Sequence, residues 1–250
     1  MTEFRDTAVQ DRPVLTRLWQ EAFGDTASYI DAFFETAYAP GRSRVAVADG
    51  EIAGMLFLFD CWLAGERYAY LYAVATDKRF RGRGIATALM EDGEQFLRAR
   101  GYAGVLLSPG NESLFRFYGK RGYETVGYRS EERIPAGKPV PVREIGEEEY
   151  AQIRAELLPE NGVRQEGENL RFLHRFCRFY AGDRFCAAVY QGEAFLPEYL
   201  GDRKNVPGLL AALGMTEASV RMPGVDTPCV MGKWFSGADK NRIYLGFVYD

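Results

Sequence analysis

The stretch Arg79-Phe80-Arg81-Gly82-Arg83-Gly84-Ile85-Ala86 joins an apolar run, Tyr68 to Val74, to an amphipathic one, Ile85 to Arg98. The first run reads as a strand and the second as a helix. A glycine-rich turn at that junction presents backbone N–H groups that have no partner inside the helix. Those donors, with the positive end of the helix dipole, make a phosphate site. Gly82 and Gly84 let an anion come close because no Cβ intervenes. Arg79, Arg81 and Arg83 add positive charge beside it. The expected ligand is a cofactor that bears a pyrophosphate.

Two phosphate loops do not fit. A dinucleotide fingerprint would need Gly or Ala at position 87, where Thr87 stands. A P-loop would need a Lys directly after the glycines, and none follows. Further along, Val105 to Ser108 reads as a short buried strand ended by Pro109-Gly110. Asn111 then stands at an N-cap position before Glu112-Ser113-Leu114-Phe115-Arg116-Phe117-Tyr118. Gly119 to Gly122 close that helix, and Tyr123 opens another strand.

Arg79-x-x-Gly82-x-Gly84 resembles the R-x-x-G-x-G/A loop of the GNAT (GCN5-related N-acetyltransferase) superfamily. Asn111…Phe117-Tyr118-x-x-x-Gly122-Tyr123 is similar to that family's N-x-x-(S/A)-x-x-x-Y-x-x-x-G-F/Y segment. The resemblance covers about residues 1–134. It implies an α/β (α+β) fold with a mixed central sheet flanked by helices. It also implies direct transfer of acetyl from acetyl-CoA to a primary amine of a small molecule or protein. On that basis Arg79, Arg81, Gly82, Arg83, Gly84, Ile85 and Ala86 hold the pyrophosphate. The backbone of Ala73, Val74 and Ala75 pairs with pantetheine, where this strand splays from its neighbour. Asn111 and Ser113 complete the cofactor-binding set, and Tyr118 is the general acid for the leaving thiolate. A phenol suits that task, with an ordinary pKa of about 10 against about 8.5 for a thiol. The plain alternative is that Tyr118, one of 15 tyrosines, is a core aromatic.

The general base stays open. Glu112, Asp60, Glu35, Asp77 and a water chain are candidates, and none of the carboxylates has a motif behind it. Asp250 joins them by resemblance to the enhanced-intracellular-survival type, in which the terminal carboxylate enters the active site. Tyr29, Phe33, Phe34 and Tyr38 form an aromatic face in the region that shapes acceptor sites in the family; a helix core face is the alternative. Asp31 and Glu35 beside it are candidates to hold a cationic amine. His174, the only histidine, reads as a structural helix residue and builds no metal centre alone.

An apolar content of 47% is ample for a core, and 250 residues allow one large domain or two small ones. A net charge of −4 argues against a nucleic-acid or anionic-membrane partner. No secretory leader pattern and no apolar run of about 18 residues occurs, so a cytoplasmic location is expected. Cys61, Cys177, Cys186 and Cys229 stand far apart, without a C-x-x-C pair, and read as reduced thiols. No metal is expected. A homo-oligomer stays open.

Residues 2–6 read as a strand, Gln10 to Phe23 and Ala27 to Ala39 as helices, and Arg44 to Phe59 as a hairpin turning at Asp49-Gly50. Residues 135–141, rich in Pro and Gly, read as a linker after a catalytic domain at 1–134. Residues 142–250 then echo the first half in order. Val142 to Ile145 and its helix to Leu157, Cys186 to Ala194, and Val220 to Gly224 each have a counterpart there. The stretch that replaces the loop, Asp202 to Gly208, lacks the paired glycines. A second, degenerate GNAT-like domain and one cofactor site per chain are expected. Tyr244 to Tyr249 reads as a closing strand. The competing reading is a CoA-binding regulatory or sensor module without turnover.

Overall fold

The computed structural model describes residues 2–235 and 242–249. The chain begins with β1 (Thr2–Arg5), α1 (Arg12–Phe23), α2 (Ala27–Thr36), β2 (Ser43–Ala48), β3 (Glu51–Leu63) and β4 (Glu66–Thr76). The glycine loop leads into α3 (Ile85–Arg98), β5 (Gly104–Leu107), α4 (Glu112–Gly119) and β6 (Glu124–Pro135). The second half runs β7 (Arg143–Ile145), α5 (Glu147–Leu157), α6 (Glu168–His174), β8 (Cys177–Gly182) and β9 (Phe185–Tyr190). It continues with β10 (Phe195–Leu196), β11 (Glu198–Gly201), α7 (Val206–Ala212), β12 (Glu217–Pro223) and β13 (Thr227–Trp234).

Both faces of the first sheet are apolar, so β3 is buried almost from end to end. Phe57 and Phe59 point to α1 and α2, where Trp19, Phe33, Tyr70 and Tyr72 share one core. Leu56 and Leu58 point the other way, to Leu89 and Leu97 of α3 and Tyr118 of α4. The hairpin turn at Asp49-Gly50 takes positive φ at both residues, as a two-residue turn of that type requires.

Several boundaries depart from the sequence reading. Val9–Asp11 form a 3-10 turn, so α1 starts at Arg12 instead of Gln10. α2 stops at Thr36, short of Ala39, where Pro40 holds the preceding residue in extended backbone. Ile134 and Pro135 belong to β6 and pair with Ala218 and Glu217 of β12.

Tyr244 to Tyr249 is not a strand. Only Ile243 and Tyr244 make single bridges, to Gly127 and Gly162. Beyond them a side chain takes over the backbone groups: Phe247 N–H donates to Gln165 Oε1, and Gln165 Nε2 donates to Phe247 O. Gly246 and Tyr249 both have positive φ, which breaks the extended path.

The strand order is β1-β2-β3-β4-β5-β13-β6-β12-β10 in one sheet and β11-β9-β8-β7 in the other. β13, which composition alone did not mark, lies between β5 and β6 and is antiparallel to both. β6 in turn pairs with β12. The two halves thus exchange strands: each contributes a strand to the ladder that the other would otherwise close. No helix among the described residues is long and apolar enough to cross a membrane. All four cysteines are free and buried, and burial pushes the Cys61, Cys177 and Cys186 thiols up.

Candidate active site

β4 runs parallel to β5 only over Tyr68 to Tyr70, which face Gly104 to Leu106. From Leu71 onward β4 has no strand partner on that edge. On its other edge, Met55 pairs with Ala75 and Phe57 with Tyr72. Leu56 therefore faces two residues, Ala73 and Val74, which makes a β-bulge. Ala73 has φ +48°, a left-handed conformation that costs a non-glycine residue about 1–2 kcal/mol. Bulges that re-aim backbone groups collect at functional sites. The expected triad Ala73, Val74 and Ala75 thus lies at the bulge, on the unpaired edge.

Beyond Thr76 the chain turns into the glycine loop. Gly82 and Gly84 both have positive φ, 78° and 76°. Gly84 is the N-cap of α3 and brings no side-chain cap. The N–H groups of Gly82, Arg83, Gly84, Ile85 and Ala86 donate to no acceptor among the described residues. They sit at the positive end of a 14-residue helix. A cleft of about 310 Å³ opens there, lined in part by Thr76, Arg81, Gly82, Gly84, Ala86 and Arg121.

The loop's arginine side chains divide into two kinds. Arg79 is committed to acids: its guanidinium bonds Asp77, which is fully buried, and reaches Glu51 at 2.7 Å. Arg83 is paired with Asp49 at 3.0 Å. Both arginines brace the loop against its surroundings. Arg81, by contrast, makes one long bond to Thr76 O and lines the cleft.

The cleft holds a further cation that the sequence reading missed. Arg121 follows Tyr118 by one helical turn, donates to Phe117 O at 2.6 Å and to Thr87 Oγ1, and stacks on the Phe117 ring. The signal for it was a basic residue at the close of the helix whose Tyr was already assigned. Its guanidinium ties α4 to α3 across the mouth of the cleft.

Asn111 is the N-cap of α4 and accepts from Leu114 N–H at 3.1 Å; Ser113 Oγ donates to Asn111 Oδ1 at 2.6 Å. Loss of such a cap costs about 1 kcal/mol. Asn111→Ala is therefore expected to lower unfolding free energy by that amount in urea titration, with the secondary structure retained. Tyr118, on the last turn of α4, is buried between Phe117 and Tyr123. Its hydroxyl has no hydrogen-bond partner among the described residues, and burial raises its pKa above 10, opposed by the nearby Arg121.

Among the described residues, the nominated bases Glu112, Glu35, Asp60 and Asp77 are each engaged with a cation. Glu112 is exposed and paired with Arg116. Glu35 is paired with Arg175, and Asp31 with Arg12. Asp60 takes Arg67 through both oxygens and the Tyr102 hydroxyl at 2.5 Å. Asp77 is held well below the usual carboxylate range, first by its bonds from Arg79 and then by those from Arg17. Asp250 lies outside the described residues. Phe33 is core, while Tyr29, Phe34 and Tyr38 pack at its margin. His174 is the last residue of α6 and bonds Glu147 at 2.8 Å, a structural placement.

Residues 10–123 match the Acetyltransferase (GNAT) family; the chain carries a GNAT acetyltransferase domain and is an acyltransferase. Solved structures share the fold over most of the chain. A GCN5-related N-acetyltransferase from Anabaena variabilis aligns at TM-score 0.72 and 17% identity, covering 94% of this chain and 73% of that one. Eis1 from Mycobacterium abscessus aligns at 0.64 and 16% identity, over 88% of this chain and 65% of its own. A protein from Pyrococcus horikoshii aligns at 0.66 and 16% identity and has nearly the same extent, with 99% and 94% covered. No curated protein matches by sequence.

Proposed function

We propose that this domain transfers an acetyl group from acetyl-CoA directly to a primary amine. The observation that carries this reading is the continuity of two unpaired backbone surfaces: the open edge of β4 from Leu71 to Thr76, and the bare N–H groups at the head of α3. One suits an amide-bearing arm and the other a pyrophosphate. Arg81 and Arg121 supply the counter-charge, and Arg79 and Arg83 hold the loop in shape. Tyr118, buried on the last turn of α4, serves as the acid in this reading.

In the reaction the amine nitrogen attacks the thioester carbonyl, a C–N bond forms and the C–S bond breaks. The amine proton leaves to water or a base, and Tyr118 gives its proton to the departing sulfur. Thiol and amide are the products. Proximity supplies most of the acceleration, and proton transfer adds about 10²–10⁴-fold.

In this reading the second, degenerate GNAT-like domain, residues 142–250, carries no cofactor site. α7 opens with Val206-Pro207, and Pro207 brings no N–H to the helix head. Val140 and Lys138 O pack where a side chain at Gly208 would lie, and Glu132 faces Arg203 across the adjoining groove. Calorimetry of the full chain is expected to show one acetyl-CoA per chain; two equal sites would refute this assignment.

The engagement of Glu112, Glu35, Asp60 and Asp77 with cations favours one second reading, a CoA-binding sensor without turnover. A thiol-release assay with acetyl-CoA and a panel of amines separates the two. Release with one class of acceptor supports transfer. Tight binding with no release from any amine supports the sensor.

A further inference from the structure

The glycine-loop cleft is lined from two elements with different equipment. From the head of α3 come the bare N–H groups of residues 82–86, with Arg81 beside them. From the close of α4 comes Arg121. A guanidinium carries five N–H donors. In Arg121 the Nε donates to Thr87 Oγ1 at 3.0 Å, one terminal nitrogen donates to the same oxygen, and the other donates to Phe117 O at 2.6 Å. Three of the five are thereby used, and one N–H remains on each terminal nitrogen. Two such donors form a fork that matches a pair of phosphate oxygens.

The fork is fixed in place and its charge is unspent. The guanidinium centre lies 3.4 Å from the Phe117 ring centroid, so one face is covered and the plane is held. Among the described residues Arg121 has no ion-pair partner, whereas Asp77 and Asp49 pair with Arg79 and Arg83. A second polar group in this cleft is also unspent. Thr76 Oγ1 is buried and has no hydrogen-bond partner among the described residues, as suits a cleft that closes over a polar ligand. The anchor of Arg121, Thr87, stands three residues beyond Gly84. At the rise of a helix that sets it about 4–5 Å further along α3 than the loop's own donors.

We propose that Arg121 grips the 3′-phosphate of CoA and makes the site selective for CoA thioesters over their 3′-dephospho counterparts. The inference rests on the acyl-transfer reading and deepens it: the donor is a nucleotide thioester with a third, monoester phosphate. The charges divide accordingly. The pyrophosphate carries one negative charge on each phosphorus, and the bare N–H groups, the dipole of α3 and Arg81 already meet it. A phosphomonoester brings about −1.5 to −2 charges at pH 7 and three strong acceptor oxygens. It is the part of the cofactor that a rigid, unneutralised fork on the second element fits.

The test titrates CoA and 3′-dephospho-CoA into the full chain by calorimetry, for the parent, Arg121→Gln and Arg81→Gln. The parent should bind CoA about 10–100-fold more tightly than dephospho-CoA, as charge-assisted hydrogen bonds to one phosphate allow. Arg121→Gln should bring CoA down to the affinity of dephospho-CoA and leave dephospho-CoA itself unmoved. Arg81→Gln should weaken both ligands by the same factor and keep the preference. Equal affinity of the parent for the two ligands overturns the proposal without recourse to any variant. So does a preference that survives Arg121→Gln, or one that Arg81→Gln abolishes. Loss of both ligands alike from Arg121→Gln, with its helical spectrum retained, would put Arg121 on the pyrophosphate and also overturn it. Binding of neither ligand to the parent would instead remove the acyl-transfer reading on which the proposal stands.

Discussion

Tyr118→Phe should lower kcat by about 100-fold or more while leaving acetyl-CoA affinity unchanged. The prediction is sharp because the hydroxyl is idle in the folded protein. It bonds to nothing among the described residues, so its removal breaks no structural contact and the ring stays wedged between Phe117 and Tyr123. The melting temperature should not fall. Burial raises the phenol above its ordinary pKa of 10, so the group stays protonated at neutral pH, the form an acid needs. The sign follows: any alkaline loss of kcat from this group lies above pH 10. Steady-state rates and calorimetry on the one variant decide the matter. A kcat within twofold of the parent would return Tyr118 to the role of a core aromatic.

The second large effect concerns stability. Arg154 and Glu198 form a fully buried pair, joined through both carboxylate oxygens at 2.8 and 3.0 Å. Tyr150 and Tyr244 hydroxyls donate to the same carboxylate, and Gln165 and Val163 O receive the rest of the guanidinium. Glu198→Ala leaves a buried cation with no counter-charge, which costs about 3–5 kcal/mol. Urea unfolding should report that loss. The joint replacement Arg154→Met with Glu198→Leu should recover most of it, since a matched apolar pair is often neutral. A single variant as stable as the parent would show that the pair is not what holds this region. The loss should also loosen residues 242–249. Gly246 has no room for a side chain, because a Cβ there would lie 2.5 Å from Arg154 and from Glu198. Amide exchange at Phe247 and Tyr249 should therefore speed up in Glu198→Ala.

What could be read in advance follows from how local the signal is. The strand-loop-helix unit around Gly82 and Gly84 was legible because φ, capping and dipole act within a few residues. α3 occupies Ile85–Arg98 as its periodicity predicts, and Asn111 caps α4 as its side chain predicts. β13 was not legible. Thr227 to Trp234 contains Pro228 and Gly232, and its place between β5 and β6 is decided by pairing across the whole chain. Side-chain commitments failed in the same way. Arg79 and Arg83 look free in sequence, yet Asp77, Glu51 and Asp49 claim them once the hairpin of β2 and β3 folds beside the loop. Arg121 was missed because it carries no motif. It becomes visible only when α4 meets α3.

The exchange of β6 and β13 also bears on how the first sheet is made. β5 has β4 on one side, and β13 alone covers the other. During synthesis the edge of β5 therefore stays bare until residues 227–234 leave the ribosome. An uncovered strand edge is a template for mispairing, and pairings between distant segments form slowly. A shortened chain that ends after β6 leaves that edge of β5 uncovered and is expected to aggregate.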